Sequence, residues 1–174
     1  QQKLTSFVAK LTHLRAGNPV LRRRQFFQGQ PICGDSAKDL VWFTREGRVM
    51  NESDWNATST QVLGVCLNGQ IEEFDDRGQP ISGTTLLCFF SAENRDIRLR
   101  LPQLSKGQFW HPVLDTARET RLPRKLRGGE YYHISGHSCV VFELSRSWLR
   151  AAQHLFSRSS ETMPRPTIQR RAGR

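Results

Sequence analysis

An antiparallel β-sandwich with a helix at either end is the fold class this sequence predicts, and three observations predict it. Short apolar or alternating runs recur between clusters of turn residues from Leu40 to Leu144, and no helical period separates them. One apolar stripe at helical spacing precedes these runs and a second follows them. At 174 residues the chain suffices for one domain with a real core plus an appendage at each end, and falls short of two full domains.

The first stripe is Leu4, Phe7, Val8, Leu11 and Leu14, spaced by three and four residues on one face of a helix. Gly17, Asn18 and Pro19 supply its stop, because Gly or Asn accepts a left-handed cap and Pro cannot continue the hydrogen-bond ladder. One helix cannot bury that stripe alone, so it needs a partner in the β-rich body or upstream. A chain that starts without Met and enters directly into helical pattern is expected to be the end of a larger protein.

The strands follow in order. Leu40 to Phe43 and Arg48 to Met50 flank Arg45-Glu46-Gly47 as strand, turn and return, and Ser53 to Asn56 is a polar connection carrying one large aromatic. Gln61 to Leu67 is a strand closed by Asn68-Gly69, the dipeptide best suited to a two-residue hairpin. Thr84 to Ser91 is apolar nearly throughout, as a strand covered on both faces should be. Ile97-Arg98-Leu99-Arg100-Leu101 alternates, which buries one face and turns the arginines to water. Phe109 to Thr116 and Ser138 to Leu144 complete the set, with a polar loop over Arg118 to Gly129. Ser145 then caps a second helix in which Trp148, Leu149, Ala152, Leu155 and Phe156 share a face. Residues 157 to 174 contain two Pro and few apolar side chains, so disorder is expected there.

The net charge of +10 first suggests a polyanionic partner, but its distribution argues against one. Lys3, Lys10, Arg15, Arg22, Arg23 and Arg24 stand without an acid before residue 25, and residues 157 to 174 hold five Arg against Glu161, which leaves the body balanced. Solvated basic ends on a neutral domain are the reading this favours over nucleic acid. Cys33, Cys66, Cys88 and Cys139 lack the C-x-x-C spacing of a zinc or redox site, and three of them sit in apolar strands as small hydrophobes. Free thiols suit a reducing cytosol, so a cytoplasmic location is expected, with no apolar run long enough for a membrane span. The glycosylation sequons at Asn51 and Asn56 are short enough to arise by chance and are discounted.

The order of features resembles the C-terminal part of bacterial glycogen debranching enzymes of the isoamylase type, in the α-amylase superfamily. The similar stretches are Phe7 to Phe27 with its Pro19-Val20-Leu21-Arg22-Arg23 run, Lys38 to Gly47 with Ser53-Asp54-Trp55, Leu63 to Gly69, Leu86 to Ala92, Trp110 to Ala117, and Ser138 to Phe142. The resemblance covers residues 4 to 144; the sequence past Leu144 goes beyond it, and Cys66, Cys88 and Cys139 replace expected aliphatics. It implies that residues 1–24 are the last helix and linker of an otherwise missing (β/α)8 catalytic barrel. Residues 25–156 would then be the β-sandwich with its closing helix, and 157–174 a basic disordered tail.

Members of that family hydrolyse α-1,6-glucosidic branch points by retention, which requires two carboxyl groups about 5 Å apart. Both would lie on barrel loops upstream of this chain. Asp35, Asp39, Asp54, Glu93, Asp96 and Asp115 fall in turns or at strand ends, outside the family's catalytic motifs, so no catalytic residue is assigned here. His133, His137 and Cys139 are too far apart along a strand for one ion without a turn at Gly136, and no metal or cofactor is expected. Ser138 lacks a nucleophile elbow. Trp42, Trp55 and Trp110 are the candidate glucan contacts, since a flat apolar ring complements a pyranose face; Trp55 leads, because it follows a polar loop. The expected function is therefore an accessory domain of a glycogen debranching enzyme, partnered by its barrel in cis and by branched α-glucan. The alternative is a stand-alone basic binding module for nucleic acid or anionic surfaces.

Overall fold

A computed structural model describes residues 2–29, 38–74, 78, 80–118, 122 and 125–146. Helix α1 (Gln2–Gly17) leads through a 3-10 turn, Pro19–Arg22, toward strand β1 (Leu40–Phe43) and the short helix α2 (Glu52–Trp55). The strands β2 (Val62–Leu67), β3 (Gln70–Phe74), β4 (Pro80–Ser82), β5 (Leu86–Ser91), β6 (Ile97–Arg100), β7 (Gln108–Asp115), β8 (Tyr131–Ile134) and β9 (Ser138–Arg146) follow. Five of them form one antiparallel sheet in the order β1-β2-β5-β9-β7. β3–β4 and β6–β8 form separate antiparallel ribbons. The fold is mainly β and sandwich-like, as the alternating runs predict.

Register explains why β5 is apolar on both sides. The row Phe43–Gly64–Phe89–Val140 and the adjacent row Trp42–Val65–Cys88–Val141 point to opposite faces, because successive residues of a strand alternate. On one face Leu87, Phe89, Trp110, Val140 and Phe142 meet Ile97, Leu99, Tyr132 and Ile134 from the β6–β8 ribbon. On the other, Val65, Leu86, Cys88, Leu114 and Val141 are covered by Val20 of the 3-10 turn, with Phe7, Leu14, Leu21 and Phe27 packed around it. Each buried aliphatic or aromatic side chain contributes roughly 1.5–3 kcal/mol by leaving water.

Several local expectations are corrected. Asn68-Gly69 does not close a two-residue hairpin: β2 pairs with β1 and β5, and β3 pairs with β4. Gly69 is needed instead for close approach, since a Cβ there would lie 2.2 Å from the Gly83 carbonyl oxygen, and Gly83 N–H donates to Gly69 O at 2.7 Å. Gly17 stays helical without a left-handed cap, and Asn18 is extended at φ −117°. The Asn18 amide ends α1 by donating to Leu14 O at 3.0 Å and to Glu143 Oε1 at 3.4 Å, which ties the helix end to β9. Within the expected polar connection, Ser53 to Trp55 form the single helical turn α2. Ser145 is a strand residue paired with Phe109, its hydroxyl donating to Phe109 O at 3.3 Å, and so does not cap a helix. Strand β8 is an addition to the expected set. The expected closing helix over Trp148 to Phe156, the tail 157–174, Cys33 and Asp35 lie outside the described residues.

Cys66, Cys88 and Cys139 are free thiols. Burial pushes Cys66 and Cys88 up to about 12 and Cys139 up to about 11, from an ordinary 9.0. Because the thiolate is the reactive form, native labelling at pH 8 should be slow. In a Cys33→Ser variant, a thiol reagent should modify buried Cys88 and half-buried Cys66 and Cys139 far faster after denaturation than before it; rapid stoichiometric labelling of the native chain would contradict the raised thiol values. The folded state favours the neutral thiol, so its contribution is complete below pH 9 and is lost as pH rises toward 12.

Candidate functional site

The exposed aromatic surface begins with a small piece of local chemistry. Asn51 caps α2: its side-chain oxygen accepts from Asp54 N–H at 3.1 Å, and the Asp54 carboxylate accepts from Asn51 N–H at 2.9 Å. Arg48 grips the same carboxylate through both terminal nitrogens, at 2.6 Å and 2.5 Å. The Arg48 guanidinium, with the Asn51 amide, holds Asp54 below its ordinary carboxylate value. This turn fixes Trp55 edge-on against Trp42, with ring centroids 5.4 Å apart at 82°.

Trp55 is 51% exposed and Phe90 48% exposed. Both border a shallow hollow of about 430 Å³ whose wall also includes Thr60, Gln61, Leu63 and Asp54. Leu63 pairs directly with Phe90 across β2 and β5, which places both on the face of the large sheet that α1 covers elsewhere. The hollow therefore offers two aromatic surfaces with hydroxyl, amide and carboxylate groups at the rim, a combination suited to a ring with one apolar face and equatorial hydroxyls.

Of the three candidate tryptophans the structure brings two together. Trp42 is half-buried and supports Trp55 with its ring. Trp110 is 3% exposed on the opposite face, with its indole N–H donating to Pro102 O at 3.2 Å, and has no free face to offer a ligand. Phe90 carries no signal in the sequence that marks it as a surface aromatic. Its position in an apolar run resembles that of its buried neighbours, and only the limited reach of α1 across the sheet leaves it open.

Two of the candidate acids, Asp39 and Asp115, are committed to structural donors. Asp39 is buried and accepts from Gln28 N–H at 3.0 Å, from Gly29 N–H at 2.8 Å and from Arg23 at 3.4 Å. Asp115 accepts from Tyr132 O–H at 2.7 Å and from Ala117 N–H at 2.9 Å; burial, then this bond, raises the Tyr132 phenol. His133 lies on β8, and His137 in the following turn has φ 49°. Among the described residues no three His, Cys, Asp or Glu side chains are grouped to hold a metal ion, and no helix is long and apolar enough to cross a membrane.

Comparison with known proteins adds a family to this geometry. The family described as "Isoamylase, C-terminal" matches residues 39–149. The glycogen operon protein GlgX homologs of Mycobacterium tuberculosis and Mycobacterium bovis are each 37% identical over 115 residues, 65% of this chain and 16% of the relative. The chloroplastic isoamylase 2 of Oryza sativa subsp. japonica is 23% identical over 152 residues, covering 82% of this chain and 17% of its own length. The chain thus spans about a sixth of the length of these relatives.

Proposed function

Because the chain belongs to the isoamylase C-terminal family, we propose that it is the accessory domain of an enzyme that hydrolyses α-1,6 branch linkages in glycogen or a related α-glucan. In this reading residues 1–24 close a catalytic barrel joined in cis, residues 25–156 form the sandwich beside it, and residues 157–174 are a basic tail. Both catalytic carboxyl groups come from the barrel. Trp55 extends the glucan-binding surface. The free thiols favour a cytoplasmic setting.

One observation carries the docking part of this reading: α1 divides its apolar stripe between two directions. Phe7 and Leu14 pack toward the sheet and Leu4, 67% exposed, borders with Phe7 the hollow between α1 and β7, whereas Val8 and Leu11 are exposed. A helix with apolar residues on its outer side suits a second packing partner.

Two tests follow. Incubated with glycogen or pullulan, the purified chain should release no reducing ends above buffer; release that survives stringent purification would overturn the accessory reading. Substituting Gln at Leu4, Val8 and Leu11 together should raise solubility and change stability by no more than about 0.5 kcal/mol per site, the range of ordinary surface changes. A large fall in the melting midpoint would place these residues in the domain's own core.

A further inference from the structure

We propose that the outer face of the β6–β8 ribbon binds a phosphate monoester carried on a ring, as in a sugar phosphate or a nucleotide. The ribbon covers the face of the large sheet opposite α1, so this site is distinct from the aromatic surface around Trp55 and independent of the debranching reading.

Alternation creates the site. Ile97 and Leu99 are buried, which turns Arg98 and Arg100 outward together. Across the ribbon Arg100 pairs with Tyr131, and the Arg98 guanidinium lies 5.1 Å over the Tyr131 ring. Tyr131 is 56% exposed.

A third guanidinium is brought in by the turn after β1. Arg100 N–H donates to Arg45 O at 2.8 Å, and Arg45 Nε donates to Arg98 O at 3.1 Å. This approach requires glycine at 47, which has φ 72° and would place a Cβ 2.5 Å from Arg100 O. Arg100 Nε in turn donates to Gly129 O at 3.1 Å. Main-chain carbonyls therefore orient two of the three guanidinium planes while their terminal nitrogens remain for an acceptor.

The hollow between Arg45, Arg98, Arg100 and Tyr131 measures about 210 Å³. Glu46 stands on its rim, and its charge also acts on Arg48. Among the described residues no carboxylate forms an ion pair with Arg45, Arg98 or Arg100. Three positive charges against the single carboxylate of Glu46, which pairs with none of them, leave a net positive hollow that favours a dianion, and the guanidinium fork matches phosphate oxygens. The Tyr131 ring supplies a flat surface for the group bearing the phosphate, and the hollow has room for one such ring.

Calorimetric titration of the 174-residue chain in about 150 mM salt, near physiological screening, tests the site with glucose 6-phosphate, AMP, glucose, inorganic phosphate and a single-stranded oligonucleotide as probes. Saturable one-to-one binding is expected for glucose 6-phosphate or AMP, at least about tenfold tighter than for glucose or inorganic phosphate. The tighter of the two identifies the source, and either supports the proposal. Arg98→Gln and Arg100→Gln should each weaken that ligand about tenfold, the scale of a lost hydrogen bond to a charged group. Arg98→Lys keeps the charge, loses the fork, and should weaken the ligand without moving the melting midpoint. Tyr131→Leu should weaken the ring-bearing ligand and spare inorganic phosphate. Absence of binding, binding unchanged in the Arg98 variants, or inorganic phosphate binding as tightly as the phosphorylated rings would overturn the proposal. Preferred binding of the oligonucleotide over AMP would overturn it in favour of a nucleic-acid surface.

Discussion

Phe142→Ala should destabilise the chain by about 3–5 kcal/mol, the range for deleting a fully buried aromatic side chain. Phe142 is completely inaccessible in β9, between Leu87 on β5 and Pro112 on β7. Its ring meets Tyr132 edge to face at a centroid distance of 5.1 Å, which joins the large sheet to the β6–β8 ribbon. Alanine removes both the apolar area and the aromatic pair, and neighbours held in ordered strands can refill the space only in part. Urea denaturation of the variant should show the full loss. Phe90→Ala, at a half-exposed position one strand away, should cost much less. Equal costs at the two positions would mean that the faces of the sheet are assigned wrongly.

Asp39→Ala should cost about 3 kcal/mol through a different mechanism. Asp39 precedes β1 and fastens the segment after the 3-10 turn to the sandwich by accepting from the Gln28 and Gly29 amides and pairing with Arg23. The Arg23 guanidinium also lies over the Phe27 ring, 4.4 Å from its centroid. Removing the carboxylate takes one acceptor from a nearly buried guanidinium and leaves two amide donors to be resatisfied, and breaking one side of such a pair is more costly than the pair's own net contribution. Asp39→Asn, which keeps an acceptor oxygen, should recover part of the loss. A variant as stable as the parent would show that the segment before β1 contributes little to the folded domain.

Legibility in the sequence followed how local each cause is. The β6 alternation and the apolar run of β5 announce buried faces because burial on a strand is set by every second residue. Asn68-Gly69 carries a strong hairpin signal, but the requirement at Gly69 comes from Gly83, a contact that exists only after β3 and β4 have folded back. Ser145 has cap chemistry, yet continued pairing of β9 with β7 carries the strand past it. Strand β8 has only four residues, two of them exposed, and its partner β6 lies more than thirty residues earlier, so no local period declares it. The same distinction holds for sites. Trp55 is legible as an aromatic beside a polar turn, whereas Phe90 becomes a surface residue only through what fails to cover it. The arginine hollow requires the turn at Arg45 to meet Arg98, 53 residues away.

Sequencing the coding region immediately upstream of the Gln1 codon decides whether this chain is the accessory domain of a glucan-debranching enzyme. An in-frame segment encoding a (β/α)8 barrel, with two carboxyl residues on the loops after its central strands, is the predicted result. A start codon directly before Gln1 would contradict it.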